Sequence, residues 1–199
     1  LSFTRFTTVV DSRWVGFSNY SKIWGDSVFL HSLWYTAAFA VAVTIIVNVV
    51  AFFIAYMLVK AIRGRNIFRS VFFMPNLIGG IVLGYIWLLL LNGILAHWGR
   101  ALTYSATYGF WGLVILVCWQ QIGYMMIIYI AGIQNIPGEL IEAAKIDGAS
   151  HAQVYWGIIM PLVIPILAVV GLLSFISAFN DFILSRTILT SQQNWTLAV

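Results

Sequence analysis

The sequence predicts an all-α fold, a polytopic bundle of transmembrane helices. Of its 199 residues, 62% are hydrophobic and 8% are charged, and the mean hydropathy is +0.96. A soluble domain needs a charged surface that such a composition does not supply. The apolar runs reach the roughly 20 residues of a membrane-spanning helix and exceed the roughly 10 residues of a membrane strand. We therefore expect one membrane domain over residues 1–199.

The first predicted span covers residues 33–59, which contain no charged residue. Four basic residues and no acid follow within the next ten positions. Because basic residues concentrate in cytoplasmic loops, this cluster places the end of the first span in the cytoplasm. Before the span, residues 15–20 predict a short amphipathic element at the membrane interface. The basic cluster consists of Lys60, Arg63, Arg65 and Arg69.

Three further spans are predicted at about residues 71–91, 109–133 and 161–184. Pro75, followed by several glycines in the second span, predicts a kink and close contacts between helices. Alternation of the spans across the membrane then places the loop 134–160 in the cytoplasm.

The cytoplasmic loop holds three of the six acids of the chain. Asn135 can cap a helix start, Pro137 suits a first turn, and Gly148 can end the helix. A short helix over about 137–147 is therefore expected along the membrane surface. Such a helix can dock a soluble partner, or it can lie passively at the interface without one.

Spaced residues in this loop resemble the EAA motif of ABC importer permeases. The motif begins at Glu142-Ala143-Ala144, continues with Gly148 and closes at Met160-Pro161, where the family signature has Leu before Pro. The similarity extends to the maltose-type carbohydrate permeases over nearly the whole chain. The stretches that carry it include VGFSNYSKIW (15–24), RGRNIFRSVFFMPNLIGGIVLGYIW (63–87) and GYMMIIYIAGIQNIPGELIEAAKIDGA (123–149).

The resemblance implies a type I ABC importer permease fold in a bacterial inner membrane, for carbohydrate or oligosaccharide uptake. That core usually has six helices, so a chain with four legible spans is expected to be a fragment. The implied partners are a second permease subunit, two cytoplasmic ATP-binding subunits that hold ATP and Mg, and an extracytoplasmic solute-binding protein. The loop would then form a coupling helix against an ATPase, through Glu142, Ala143, Ala144, Asp147 and Gly148.

Polar side chains inside the spans are candidates for a substrate path. They are costly in lipid unless they face protein, water or a ligand, and amides beside aromatic rings suit sugars. The alternative is that each amide ties helices together, which we expect of Asn48. Small residues such as Gly84 are expected to serve packing. The predicted path residues, which also match path-lining segments of the family, are Asn76, Gly80, Gln120, Gln121, Ser177, Asn180 and Asp181.

Several functions receive no support from the sequence. It has no G-x-x-x-x-G-K-S/T motif for binding ATP and no nucleophile-elbow motif, so we expect no enzyme activity in this chain. The three histidines and the single Cys118 have no metal-ligand spacing, and no metal or cofactor is expected. The basic cluster beside a span suits membrane topology better than nucleic acid. Two alternatives stay open: an ABC permease for an amino acid or phosphodiester, and a stand-alone channel or secondary transporter.

Overall fold

The computed structural model describes residues 3–6, 12–59 and 64–189. In this part of the chain, three helical runs are long and apolar enough to cross a membrane, and a bent pair of helices forms a candidate fourth crossing. The helices are α1 (Ser18–Ile23), α2 (Ser27–Val59), α3 (Arg65–Phe73), α4 (Gly80–Ala96), α5 (Ala106–Gln134), α6 (Gly138–Ile146), α7 (His151–Val154), α8 (Met160–Phe179) and α9 (Ile183–Ile188).

The N-terminal segment forms a small hairpin that the all-α prediction omits. Strands β1 (Thr4–Phe6) and β2 (Ser12–Trp14) pair antiparallel, and the ring of Phe3 stacks on that of Trp14 at a centroid distance of 5.5 Å. Three-residue strands are too short for an alternating sequence pattern to stand out. Helix α1 follows in the region where a short amphipathic element was predicted.

Helix α2 is the centre of the bundle and packs on α5 and α8. It starts at Ser27, six residues before the predicted span, because Asp26 Oδ1 accepts the backbone N–H groups of Val28 at 2.9 Å and Phe29 at 3.3 Å. One face of α2, with a residue at every fourth position, is completely buried. This i, i+4 row is the kind of ridge that fits a groove between neighbouring helices. It consists of Phe39, Val43, Val47, Ala51 and Ala55.

The second predicted span, 71–91, is broken rather than kinked. Helix α3 ends at Phe73, a 3₁₀ turn covers Met74–Leu77, and α4 begins only at Gly80. The two helical parts meet at an angle of 100°. Pro75 sits in the 3₁₀ turn without an N–H to continue the α-helical ladder, and the extended backbone of Ile78 (ψ 129°) and Gly79 (ψ 135°) completes the change of direction.

The last membrane helix also differs from the prediction of 161–184. A continuous helical run covers residues 151–179, built from α7, a π-helical turn at Tyr155–Ile159, and α8. Met160 N–H donates to the carbonyl of Tyr155, five residues back, just before Pro161. At the far end the side chain of Asn180 donates to the Ile176 carbonyl at 2.9 Å and the helix stops. The connection before this run therefore ends near residue 150 and not at 160.

Candidate functional site

Helix α6 projects from the bundle between α5 and α7. It spans Gly138–Ile146, within the predicted 137–147. The predicted cap is different, because Asn135 ends α5 as its C-cap and Pro137 stands at the N-cap of α6. An Asn side chain was expected to bond to the first turn of α6, but no side-chain cap is formed there. The start of α6 is therefore set by the backbone of Pro137, whose ψ of 126° is extended.

The end of α6 is a Schellman turn centred on Gly148. Gly148 has φ of +79°, a conformation that favours glycine. Its N–H donates to the Lys145 carbonyl at 3.1 Å, and the N–H of Ala149 donates to the Ala144 carbonyl at 2.9 Å. These two bonds satisfy carbonyl groups that a helix end otherwise leaves free.

A capping box then joins this turn to α7. The backbone N–H of Ser150 donates to Oε1 of Gln153 at 2.8 Å, while the Gln153 N–H faces Ser150 Oγ at 3.4 Å. The turn at Gly148 and the box at Ser150 are separated by one residue. The connection from α6 into the long helix is therefore fixed by local hydrogen bonds rather than left as a flexible loop.

The outer face of α6 is exposed in the described part of the chain. Ile141 and Ala144 pack against the bundle, while Glu142, Ala143, Asp147 and Gly148 are exposed. Ile146, which was not among the predicted residues, is 86% exposed at the end of the helix. Glu142 and Ile146 are four residues apart, so an acid and an exposed apolar side chain share one face of the helix.

A cavity of about 650 Å³ lies at the C-terminal end of α8, which is the end of the helical run 151–179 farther along the chain from α6. The structure brings all seven predicted path residues to its wall, together with two aromatic rings and two aliphatic side chains. That these residues contact a transported solute stays a prediction. The lining consists of Asn76, Gly80, Gln120, Gln121, Tyr124, Ser177, Asn180, Asp181, Phe182, Ile183 and Leu184.

Five separate segments meet around the cavity. The 3₁₀ turn after Pro75 supplies Asn76, and the first residue of α4 is Gly80. The middle of α5 supplies the two glutamines, the end of α8 supplies Ser177, and the start of α9 supplies aliphatic side chains. The break in the second span therefore creates the cavity, since a continuous helix would not place Asn76 in a turn beside α5.

Hydrogen bonds hold some of the polar groups in the wall. Asp181 Oδ2 accepts both the backbone N–H and the hydroxyl of Ser185, each at 3.1 Å, and thereby caps the start of α9. Gln121 Oε1 is buried and has no hydrogen-bond partner among the described residues. A buried amide oxygen without a donor is unfavourable unless a ligand or water supplies one.

Glycines let the helices around the cavity approach one another closely. A Cβ at Gly80 would lie 3.3 Å from Cγ2 of Ile183, and a Cβ at Gly84 would lie 2.9 Å from Cγ2 of Thr187. The predicted packing role of Gly84 is confirmed, and Gly80 both lines the cavity and packs on α9. Gly123, which was not among the predicted residues, has no room for a side chain, because a Cβ there would overlap the carbonyl oxygen of Phe72. A glycine in the middle of an apolar span was the available signal.

Comparison with protein families and sequenced relatives gives a consistent result. Residues 63–197 match the family described as binding-protein-dependent transport system inner membrane component. The chain is 38% identical over 189 residues to the probable starch degradation products transport system permease protein AmyD of Thermoanaerobacterium thermosulfurigenes, covering 91% of this chain and 65% of that protein. It is 30% identical over 181 residues to the sn-glycerol-3-phosphate transport system permease protein UgpA of Rhizobium meliloti, covering 85% and 61%. The chain thus spans just under two thirds of the length of these relatives.

A solved structure shows the same fold at low sequence identity. The crystal structure of a bacterial ABC transporter involved in the import of the acidic polysaccharide alginate aligns with a TM-score of 0.69 and 19% identity. The alignment covers 83% of this chain and 62% of the other. The helical bundle therefore has the same fold as the matched chain of that structure.

Proposed function

The chain belongs to the binding-protein-dependent transport system inner membrane component family, and from that premise we propose that it is a permease subunit of an ATP-driven carbohydrate importer. The observation that supports this most is helix α6, on which Glu142 and Ala143 are exposed. The turn that ends this helix is fixed by local hydrogen bonds. The proposed partners are a second permease subunit, two cytoplasmic ATP-binding subunits that hold ATP and Mg, and an extracytoplasmic solute-binding protein.

The proposed mechanism follows from the connection between α6 and the cavity. The helical run 151–179 contains 29 residues, which corresponds to a length of about 43 Å at 1.5 Å per residue. One end begins at the capping box of Ser150, two residues after Gly148 in the turn that ends α6, and the other end supplies Ser177 to the cavity wall. A displacement of α6 by an ATPase subunit would therefore be transmitted to the cavity along one stiff element.

The proposed roles in coupling are divided among five residues. Glu142 and Asp147 offer charge to a groove of the ATPase, and Ala143 lets its backbone approach closely. Ala144 holds α6 against the bundle, where it is half-buried. Gly148 ends the helix in the conformation that the turn requires.

Carbohydrate is the cargo that the cavity chemistry supports best. Its amides and hydroxyl can bond to sugar hydroxyls, and Tyr124 and Phe182 offer aromatic faces. One relative is named for starch degradation products and another for sn-glycerol-3-phosphate. The second candidate is an ABC permease for a different solute. The observation that favours it is the relative named for sn-glycerol-3-phosphate.

Reconstitution tests the proposal directly. The full-length protein would be assembled in proteoliposomes with its permease, ATPase and solute-binding partners, and uptake of labelled maltooligosaccharide would be measured with and without ATP. We expect uptake that requires ATP and is lost in Glu142→Lys, with normal membrane insertion, whereas Glu142→Gln keeps part of it. Uptake by the chain alone, without any ATPase subunit, would show a stand-alone carrier and overturn the proposal.

A further inference from the structure

We propose that the cavity selects uncharged saccharides and rejects anionic solutes such as uronates and sugar phosphates. This inference rests on the proposed function and narrows it. Family membership alone does not decide whether the solute is neutral or anionic. The matched proteins include one named for starch degradation products and one named for sn-glycerol-3-phosphate. A similar fold occurs in a transporter involved in the import of an acidic polysaccharide.

The formal charge of the cavity wall is negative. Among the described residues that line it, Asp181 is the one Asp or Glu, and there is no Lys, Arg or His. An anionic solute would therefore meet one acidic side chain and no basic side chain among the described lining residues. Because the effective dielectric constant inside a protein is below that of water, an anion that leaves water for such a wall finds no cation to offset its lost hydration.

Among the described residues, the cations lie outside the cavity wall. Arg186 belongs to α9, but its side chain is exposed and does not line the cavity. Arg65 and Arg69 are on α3, and Lys145 is on α6. The stretch 190–199, which follows α9 outside the described residues, contains no Lys or Arg in its sequence.

The neutral polar groups favour a solute that donates hydrogen bonds. Gln121 Oε1 is buried and lacks a donor within the described part of the chain. A sugar hydroxyl both donates and accepts hydrogen bonds, so it can pair with either the N–H or the oxygen of a wall amide, whereas an ionised carboxylate or phosphate group only accepts them.

The aromatic lining agrees with the same class of solute. Tyr124 and Phe182 stand on opposite segments of the wall, one on α5 and one before α9. Their faces can pack on the apolar face of a sugar ring, which gains affinity without any charge. A neutral ring with many hydroxyls thus suits both the amides of the wall and its apolar surface.

A binding experiment with two trisaccharides of the same length tests the inference. The purified full-length transporter complex, without its solute-binding protein, would be titrated with maltotriose and with trigalacturonic acid, which carries a carboxylate on each ring. We expect wild type to bind maltotriose roughly tenfold or more tightly, the size of a like-charge penalty between partly buried groups.

Two variants assign the preference to the cavity. Gln120→Lys introduces a cation into the wall and should shift the preference toward trigalacturonic acid by roughly fivefold or more. Gln134→Lys makes the same change on the same helix but outside this cavity, and it should leave the preference unchanged. If Gln120→Lys does not fold, Asp181→Asn removes the negative charge, keeps an oxygen for Ser185, and should also reduce the preference for maltotriose.

The outcomes separate the two proposals. Equal binding of both trisaccharides by wild type, or an unchanged preference in both cavity variants, would overturn the charge inference and leave the importer function standing. Failure of the wild-type complex to bind either saccharide, together with no ATP-driven uptake, would overturn the proposed carbohydrate function and the inference with it.

Discussion

The hydroxyl of Tyr129 on α5 donates a hydrogen bond to Oδ1 of Asn48 on α2. The amide nitrogen of Asn48 donates to the Thr44 carbonyl at 2.7 Å and lies 3.5 Å from Oγ of Ser174 on α8. One amide therefore contacts all three central helices. The prediction that Asn48 ties helices together is confirmed, and the pairing explains how an amide is tolerated at the centre of an apolar bundle.

Removal of this hydroxyl should weaken the bundle. In Tyr129→Phe, Asn48 Oδ1 loses its donor, and we expect a loss of about 0.6–2 kcal/mol, the range for hydrogen bonds between membrane helices. The measurement is thermal unfolding of the purified protein in detergent. Tyr85→Phe is the control, since Tyr85 is 59% exposed on α4 and should tolerate the change. Equal melting temperatures for the two variants would contradict the assigned role of Tyr129.

Gly123 should be intolerant of any side chain. A Cβ there would overlap the carbonyl oxygen of Phe72, and neither backbone can move without separating α3 from α5. We expect Gly123→Ala to cost more than about 2 kcal/mol, as overpacking does, and to reduce the folded yield. Gly93→Ala is the matched control because nothing lies within 4 Å of a Cβ at that position of α4.

Gly123→Ala and Gly93→Ala should change the stability of the protein in opposite directions. Alanine is a better helix former than glycine by about 1 kcal/mol, so Gly93→Ala is expected to be neutral or slightly stabilising. The measurement is the stability of both variants in detergent, with the two proteins expressed to the same level. A Gly123→Ala protein as stable as Gly93→Ala would mean that α3 does not contact α5 as described.

The turn at Gly148 should matter for coupling more than for insertion. Gly148→Ala places a Cβ on a residue with φ of +79°, which costs about 1–2 kcal/mol for a left-handed conformation and loosens the end of α6. We expect fewer solute molecules transported per ATP hydrolysed, with normal amounts of protein in the membrane. Gly138→Ala, on the same helix with open space around the added Cβ, should keep the wild-type ratio.

Substitutions at Gly84 on α4 and at Thr187 on α9 should compensate for each other in their effect on stability. Gly84→Ala pushes a methyl group toward Thr187, whose Cγ2 would be 2.9 Å away, and we expect a loss of about 1–3 kcal/mol from overpacking. Thr187→Ala should recover part of that loss in the double variant, because it removes Cγ2 and leaves the Thr187 Cβ, which would lie 3.0 Å from the added methyl. A double-mutant cycle by thermal unfolding measures the coupling, and strictly additive effects would argue against this contact.

Composition and local motifs were sufficient to predict much of the fold. Long apolar runs indicated membrane helices because lipid leaves the backbone few alternatives to helix. The EAA-like spacing located α6, and Gly148 indicated where it ends. The boundaries were less accurate, since Asp26 and Ser150 start helices earlier than hydropathy suggests. Such caps are local side-chain bonds that a hydropathy average does not register.

The sequence by itself determined that the chain spans a membrane, belongs among transport permeases, and presents a short polar helix between two spans. Only the tertiary structure decided which faces of those spans are buried and that Asn76, Gln121 and Asp181 share one cavity. The reason is physical: the spans are apolar on all sides, so periodicity cannot indicate a buried face. Packing between segments distant in the chain, with the break after Pro75, makes that choice.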